Sequence, residues 1–176
     1  MQLISAVLVG NQVVVPALNE SESLYQDGYG SREKGQLFLS PVEALYLSER
    51  DKLAIMDERS HQELPVHELI SIFSVSDPEI WTRFIIYRDL RSRGFVAKPL
   101  NSERIFFSVY ERGVYPVNPP SYMVYSVYEG APVTVGDLQY AVSKAKFLGL
   151  ILKVAVLDRR GELIYYSLDT IDLGIL

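Results

Sequence analysis

Two histidines, His61 and His67, are the only imidazoles in 176 residues, and there is no cysteine. Four-ligand zinc sites draw mainly on Cys and His, so a closed structural zinc site is not expected, and neither is any other cofactor. The glycine-bearing segment Asp27-Gly28-Tyr29-Gly30-Ser31-Arg32-Glu33-Lys34-Gly35 resembles a phosphate-cradling loop only in its glycines. It lacks the Gly-Lys-Ser/Thr step that sets a lysine and a magnesium-binding hydroxyl at a helix start. A metal-dependent DNA nuclease would need a carboxylate cluster with a Glu-x-Lys step, and no Glu-x-Lys occurs in the chain. What is left for chemistry is a set of cations and tyrosines. Arg83, Arg88, Arg91 and Arg93 fall within eleven residues, Lys144 and Lys146 sit two apart, and Arg159 and Arg160 are adjacent. Tyr110 stands at the end of an aromatic run. Cations of this kind serve phosphate recognition, with RNA-contact candidates at Arg83, Arg88, Arg91, Lys144 and Lys146.

The net charge of −5 argues against a chain that binds nucleic acid by charge alone. The average conceals a division. Residues 1–79 carry five basic and thirteen acidic side chains, a balance of −8, whereas residues 80–176 carry twelve and nine, a balance of +3. Contact with RNA is therefore expected in the second half. Hydrophobic residues make up 48% of the chain, enough for a packed core, and no apolar run approaches the ~20 residues of a membrane span. The start, Met1 to Ser5, lacks the basic and apolar regions of a secretory signal, so a cytoplasmic protein with no membrane partner is expected.

The elements that must carry these residues read as α/β (α+β), in two domains, 1–77 and 78–176. Apolar runs Leu3–Leu8 and Val13–Val15 around Gly10-Asn11 predict an opening β-hairpin. Residues 17–36 read as a polar surface loop. Ser40-Pro41-Val42-Glu43 predicts a helix start with a capping box, and the helix runs to about Arg50. Leu64–Ser76 closes the first domain, and Ser76-Asp77-Pro78-Glu79 offers another helix start. From Ile80 to Gly94 the alternation of apolar residues with arginines predicts an amphipathic helix with a basic face. The remainder reads strand, strand, strand, helix, strand, strand: Phe95–Leu100, Arg104–Tyr110, Tyr122–Glu129, a helix capped at Thr134 and closed by Gly149, Leu150–Leu157, and Leu163–Leu168. The bulky strands and the apolar tail Leu173-Gly174-Ile175-Leu176 predict a surface that meets another subunit.

This order, with particular residues in it, resembles the archaeal tRNA-splicing endonuclease (tRNA-intron lyase) family. The first-domain pieces are Tyr29-Gly30 and Gly35-Gln36-Leu37-Phe38-Leu39-Ser40-Pro41-Val42-Glu43-Ala44-Leu45-Tyr46-Leu47. Those of the second are Tyr87 to Phe95, Val109-Tyr110-Glu111-Arg112-Gly113, Val154 to Asp158, and Gly161 to Tyr166. The resemblance implies a small mixed N-terminal domain followed by a restriction-endonuclease-like C-terminal domain with a mixed sheet. It also implies metal-independent cleavage of precursor tRNA at bulge–helix–bulge junctions, leaving 2′,3′-cyclic phosphate and 5′-hydroxyl ends. In such enzymes a tyrosine acts as base, a histidine as acid and a lysine as charge stabiliser, three terms the chemistry needs together.

Carried over by position, Tyr110 matches the tyrosine, Pro119 stands where the histidine is expected, and Leu150 ends the Leu148-Gly149-Leu150 segment where the lysine is expected. An arginine used against a bulge nucleotide corresponds to Ser143. The resemblance is then to the structural subunit of the heterotetrameric type, an α2β2 assembly with a catalytic partner subunit and precursor tRNA. An acidic loop before the last strand, which docks neighbouring dimers in the family, corresponds to Asp158 to Glu162, with Asp158 and Glu162 as docking groups. The alternatives are a catalytic subunit with a divergent active site, in which Lys153 replaces the lysine, and a metal-dependent DNA nuclease.

Overall fold

The computed structural model describes residues 3–16, 18–102 and 104–169; the apolar tail 173–176 lies outside them. By packing, the chain divides into two compact units, Met1–Arg93 and Gly94–Leu176.

Among its described residues the first unit has a five-stranded mixed sheet and four helices. Strand β1 (Ile4–Val9) turns through Gly10 and Asn11 into β2 (Gln12–Val15), the hairpin that the pair predicts, with Gly10 at φ +62. Helix α1 (Leu18–Gln26) and strand β3 (Ser31–Glu33) follow, then β4 (Gln36–Leu39), α2 (Pro41–Glu49), β5 (Leu53–Asp57), α3 (Val66–Ser74) and α4 (Ile80–Ser92). The strand order is β3-β4-β2-β1-β5, with β1 and β5 parallel and the other neighbours antiparallel.

Two readings are corrected here. Residues 17–36 are not a plain surface loop, because they include α1 and β3. Among its described side chains α1 buries only Ser21 and Leu24, too few for a visible helical stripe. β3 is exposed throughout and is held by pairing with β4 across a turn with positive φ at both Lys34 and Gly35. The second correction concerns α4. Ser76-Asp77-Pro78-Glu79 forms a turn rather than the first helical residues, and Asp77 accepts the Glu79 N–H at 3.0 Å. α4 buries Ile80, Phe84, Ile85, Ile86, Tyr87 and Leu90, and it packs on α2 and α3. α4 packs with the first unit, and the compact units divide at 93/94. Tyr87, Phe73 and Phe84 are its largest fully buried side chains, each contributing roughly 1.5–3 kcal/mol of burial.

In the second unit the predicted element order holds: β6 (Val96–Pro99), β7 (Ile105–Tyr110), β8 (Tyr122–Tyr128), α5 (Val135–Phe147), β9 (Ile151–Leu157), β10 (Leu163–Leu168). The sheet order is β10-β9-β8-β7-β6. Only the β8–β9 pair is parallel among the described strands of this sheet, as its α5 crossover requires. Thr134 caps α5 by accepting the Asp137 N–H at 3.1 Å, while the Asp137 carboxylate accepts from the Thr134 hydroxyl at 2.7 Å. The helix lays Ala141, Val142 and Ala145 on Met123, Tyr125, Leu152 and Val154. Gly149, at φ +69, ends it.

Candidate functional site

Strand register decides which of the candidate side chains share a face. Val96 pairs with Tyr110, Val109 with Tyr122, Tyr122 with Ile151, and Val124 with Lys153. Paired residues share a face and successive residues alternate, so Tyr110 lies on the face opposite Tyr122 and Lys153.

On its own face Tyr110 is half-buried and meets Tyr115 edge to face, with ring centres 5.0 Å apart. Lys98, two residues beyond Tyr110's partner on β6, sits with Nζ 5.5 Å from the centre of the Tyr115 ring. Lys98 and Tyr115 were not singled out by the sequence. Lys98 joins Tyr110 only through the β6–β7 register, and Tyr115 through the path of the following loop.

The other face carries a second group. Tyr122 donates its hydroxyl to the Glu111 carboxylate, and that hydrogen bond, with smaller contributions from burial and carboxylate charge, raises the Tyr122 pKa above the usual tyrosine value. Lys153 holds its ammonium 5.2 Å from the centre of the Tyr122 ring and donates to Ser167 Oγ at 2.7 Å. Phe95 meets Tyr122 edge-on, and Arg112 stacks 5.0 Å over Phe95.

Pro119 is exposed in the loop before β8, three residues ahead of Tyr122. Leu150 is half-buried, packs against the α5 core and donates its N–H to the Ala145 carbonyl at 2.8 Å. Neither side chain carries a proton or a charge. Ser143 is exposed on α5, and His61 and His67 are exposed in the first unit.

The arginines of α4 are engaged within the first unit. Arg83 pairs with Asp77 at 2.8 Å and Arg88 with Glu49 at 2.9 Å. Arg91 donates to the Asp27 carbonyl at 2.9 Å with its guanidinium 4.0 Å over Tyr29, and Arg93 pairs with Asp89. On α5, Lys144 is half-buried and Lys146 is exposed beside Asp169 at 3.0 Å. In the β9–β10 turn, Asp158 Oδ1 accepts the N–H groups of Arg160 and Glu162, each at 2.8 Å, and Glu129 accepts the Arg159 N–H at 3.0 Å. Asp158 is thus built into the turn, while Glu162 is exposed. Among the described residues no group of three or more His, Asp or Glu side chains could hold a metal ion. No helix there is long and apolar enough to cross a membrane.

The N-terminal domain model of the tRNA intron endonucleases matches residues 4–70, and the model described as their catalytic C-terminal domain matches residues 80–165. The chain belongs to the tRNA intron endonuclease family. Its two-domain α/β architecture with mixed sheets matches the N- and C-terminal domains of that fold. Among relatives, the tRNA-splicing endonuclease of Methanothermobacter thermautotrophicus is 31% identical over 166 residues, covering 93% of this chain and 95% of the relative. That of Pyrococcus furiosus is 27% identical over 142 residues, 81% of each. That of Methanococcoides burtonii is 30% identical over 166 residues, 92% of this chain but 45% of the relative. In this tRNA intron endonuclease chain the C-terminal match begins at residue 80, the first residue of α4, although α4 packs with the first unit. The match therefore includes a helix whose core contacts lie on α2 and α3.

Proposed function

We propose that this chain is the structural subunit of a cytoplasmic tRNA-splicing endonuclease, orienting a catalytic partner subunit that cuts precursor tRNA at bulge–helix–bulge junctions without metal. The observation that carries the reading is the chemistry around Tyr110. Positions 119 and 150 hold a proline and a leucine, and Lys153 lies on the other face of the sheet from Tyr110. A tyrosine with no acid to protonate the leaving 5′-oxygen cannot complete the cleavage. The divergent-catalyst reading keeps one favourable observation, Lys98 on the Tyr110 face. It still lacks the acid. The DNA-nuclease reading has no Glu-x-Lys step and no carboxylate cluster among the described residues.

Assembly as α2β2 is supported by what the second unit leaves uncovered. β10 is an edge strand with Ile164 and Tyr166 more than half exposed, and an open apolar edge invites a pairing strand. Glu162 is free of the turn's own hydrogen bonding through its side chain in a way Asp158 is not, so docking into a basic pocket falls mainly to Glu162. Precursor tRNA contact in this reading passes to Lys144 and to Lys146, whose exposed pairing with Asp169 is weak, rather than to Arg83 and Arg91, which are held by Asp77 and by the Asp27 carbonyl with the Tyr29 ring. The test is Tyr110→Phe in the enzyme assembled with a subunit carrying tyrosine, histidine and lysine. Cleavage should stay within a few-fold of the unsubstituted enzyme. A fall of about 100-fold or more, the scale of a working acid or base, would overturn the reading.

A further inference from the structure

The sheet of the first unit has two unlike faces. Pairing and alternation put Leu8, Val13, Val15, Leu37, Leu39 and Ile55 together on one of them, and each is at most 5% exposed. The other face carries Val7, Val14, Phe38 and Met56, all half-buried, with Val9 beside them at 42% exposed. Register makes a single row of the four. Ser31 pairs with Phe38, Phe38 with Val14, Val14 with Val7, Val7 with Met56, and Met56 with Glu63 across an isolated bridge. At about 4.8 Å between strands the apolar side chains cover roughly 14 Å, and the whole row from Ser31 to Glu63 covers roughly 24 Å. Exposed Ser5, Gln12 and Gln36 flank it, and Glu33, paired with Gln36 on the same face, lies near the Ser31 end. Each end of the row thus has an exposed carboxylate. Among the described residues, the paired positions of this face include no lysine or arginine. A sheet face left to water is ordinarily polar, and the apolar row breaks that pattern.

We propose that this face is the docking site for an amphipathic helix of a partner protein, with an apolar stripe that lies along the row and lysines or arginines beyond both ends of the stripe. A helix is the element that ordinarily covers a sheet face, and four anchors at i, i+3 or i+4, i+7 and i+10 or i+11 span about 15 Å, close to the length of the row. Charge complementarity sets the sign of the flanks, because Glu33 and Glu63 would meet cations there. The same two carboxylates disfavour an RNA strand or an anionic lipid surface, whose recognition draws on Lys and Arg. A second copy of this face fits less well. Two copies packed together bring carboxylates against carboxylates, and the face is small. About 24 Å across the strands by about 14 Å along them is roughly 340 Å², well below the ~800 Å² that a stable pair buries on each side.

The probe is a fluorescein-labelled synthetic helix of about 18 residues, with leucine at those four positions and lysines at both ends, titrated with the purified full chain. Binding should move the backbone amide signals of Val7, Val14, Phe38 and Met56. Val14→Thr with Phe38→Thr should weaken binding at least about tenfold, the scale of one lost apolar anchor. Threonine keeps the strand preference, and the thermal unfolding midpoint checks that the variant is folded. Glu33→Gln with Glu63→Gln changes only exposed side chains and should weaken binding about threefold per charge at low salt, a loss that fades as salt is added. Absence of binding by the unsubstituted chain, equal binding by either double variant at low salt, or amide shifts confined to other elements would overturn the proposal. So would self-association of the unsubstituted chain that the threonine variant abolishes, since a second copy would then be the occupant. None of these readings requires RNA or cleavage, so failure here is separable from failure of the splicing-subunit assignment.

Discussion

Glu43 is 2% exposed, and its carboxylate accepts three hydrogen bonds: from the Gly30 N–H at 2.9 Å, the Ser40 N–H at 2.9 Å and the Ser40 hydroxyl at 2.7 Å. It therefore staples the turn before β3 to the start of α2. Removing it in Glu43→Ala leaves two backbone donors without their acceptor, each costing about 1–3 kcal/mol, so a loss of about 4 kcal/mol is expected. Glu43→Gln keeps the shape but only one of the two acceptor oxygens. With its amide oxygen turned to Ser40, its NH2 faces the Gly30 N–H, donor against donor, and about 2 kcal/mol should be lost. Trp81, the only tryptophan in the chain, lies in α4 and reports unfolding of the first unit in urea. Hydrogen exchange of the Gly30 amide should accelerate in both variants. Gly30→Ala attacks the same staple from the other side. A Cβ there would lie 2.6 Å from the Phe38 carbonyl oxygen, at φ +64. Its cost should be less than additive with that of Glu43→Ala, because both release one hydrogen bond. A Glu43→Ala variant within about 1 kcal/mol of the unsubstituted chain would refute the reasoning, since even one orphaned donor costs that much.

Thr134→Ala removes the α5 cap and should cost about 1 kcal/mol in urea unfolding of the second unit. Hydrogen bonds from the Thr134 side chain and then its backbone depress the Asp137 pKa, so the carboxylate adds a separate contribution that is present above the unfolded carboxylate value and lost as pH falls through the lower folded one. An acid titration of stability in the native chain and the Thr134→Ala variant measures the difference. The Tyr122 pKa moves the opposite way. Its bond to Glu111 stabilises the fold below the unfolded tyrosine pKa of about 10 and is lost as pH rises through the higher folded one, and Tyr122→Phe should erase that alkaline slope. In the β9–β10 turn, Glu162→Lys should weaken a mixed tetramer toward dimers without loss of folding stability. Asp158→Lys should destabilise the turn itself, and sedimentation with thermal unfolding separates the two effects.

Much of the fold is legible in local spacing. Gly10-Asn11, the Ser40–Glu43 capping box, the Thr134–Asp137 box and the Asp158–Gly161 turn are each defined within a few residues, and the elements they bound appear where the spacing puts them. What spacing misses is contact at long range. The box shows Glu43 reaching Ser40 but not Gly30, thirteen residues earlier. Arg88 and Arg91 read as a basic outer face because Glu49 and Asp27, their partners, lie 39 and 64 residues away. β3 has no buried side chain, so no pattern marks it. The candidate site divides in the same way. Pro119 and Leu150 are evident from position alone, whereas the separation of Lys153 from Tyr110 and the approach of Lys98 follow only from strand register.

The proposed structural role is tested by cleavage of a bulge–helix–bulge RNA by the purified chain with and without a catalytic subunit. The chain alone should yield no product. Addition of the partner should yield 2′,3′-cyclic phosphate and 5′-hydroxyl ends from a complex that contains both chains. Cyclic phosphate ends produced by this chain alone, and abolished by Tyr110→Phe, would contradict it.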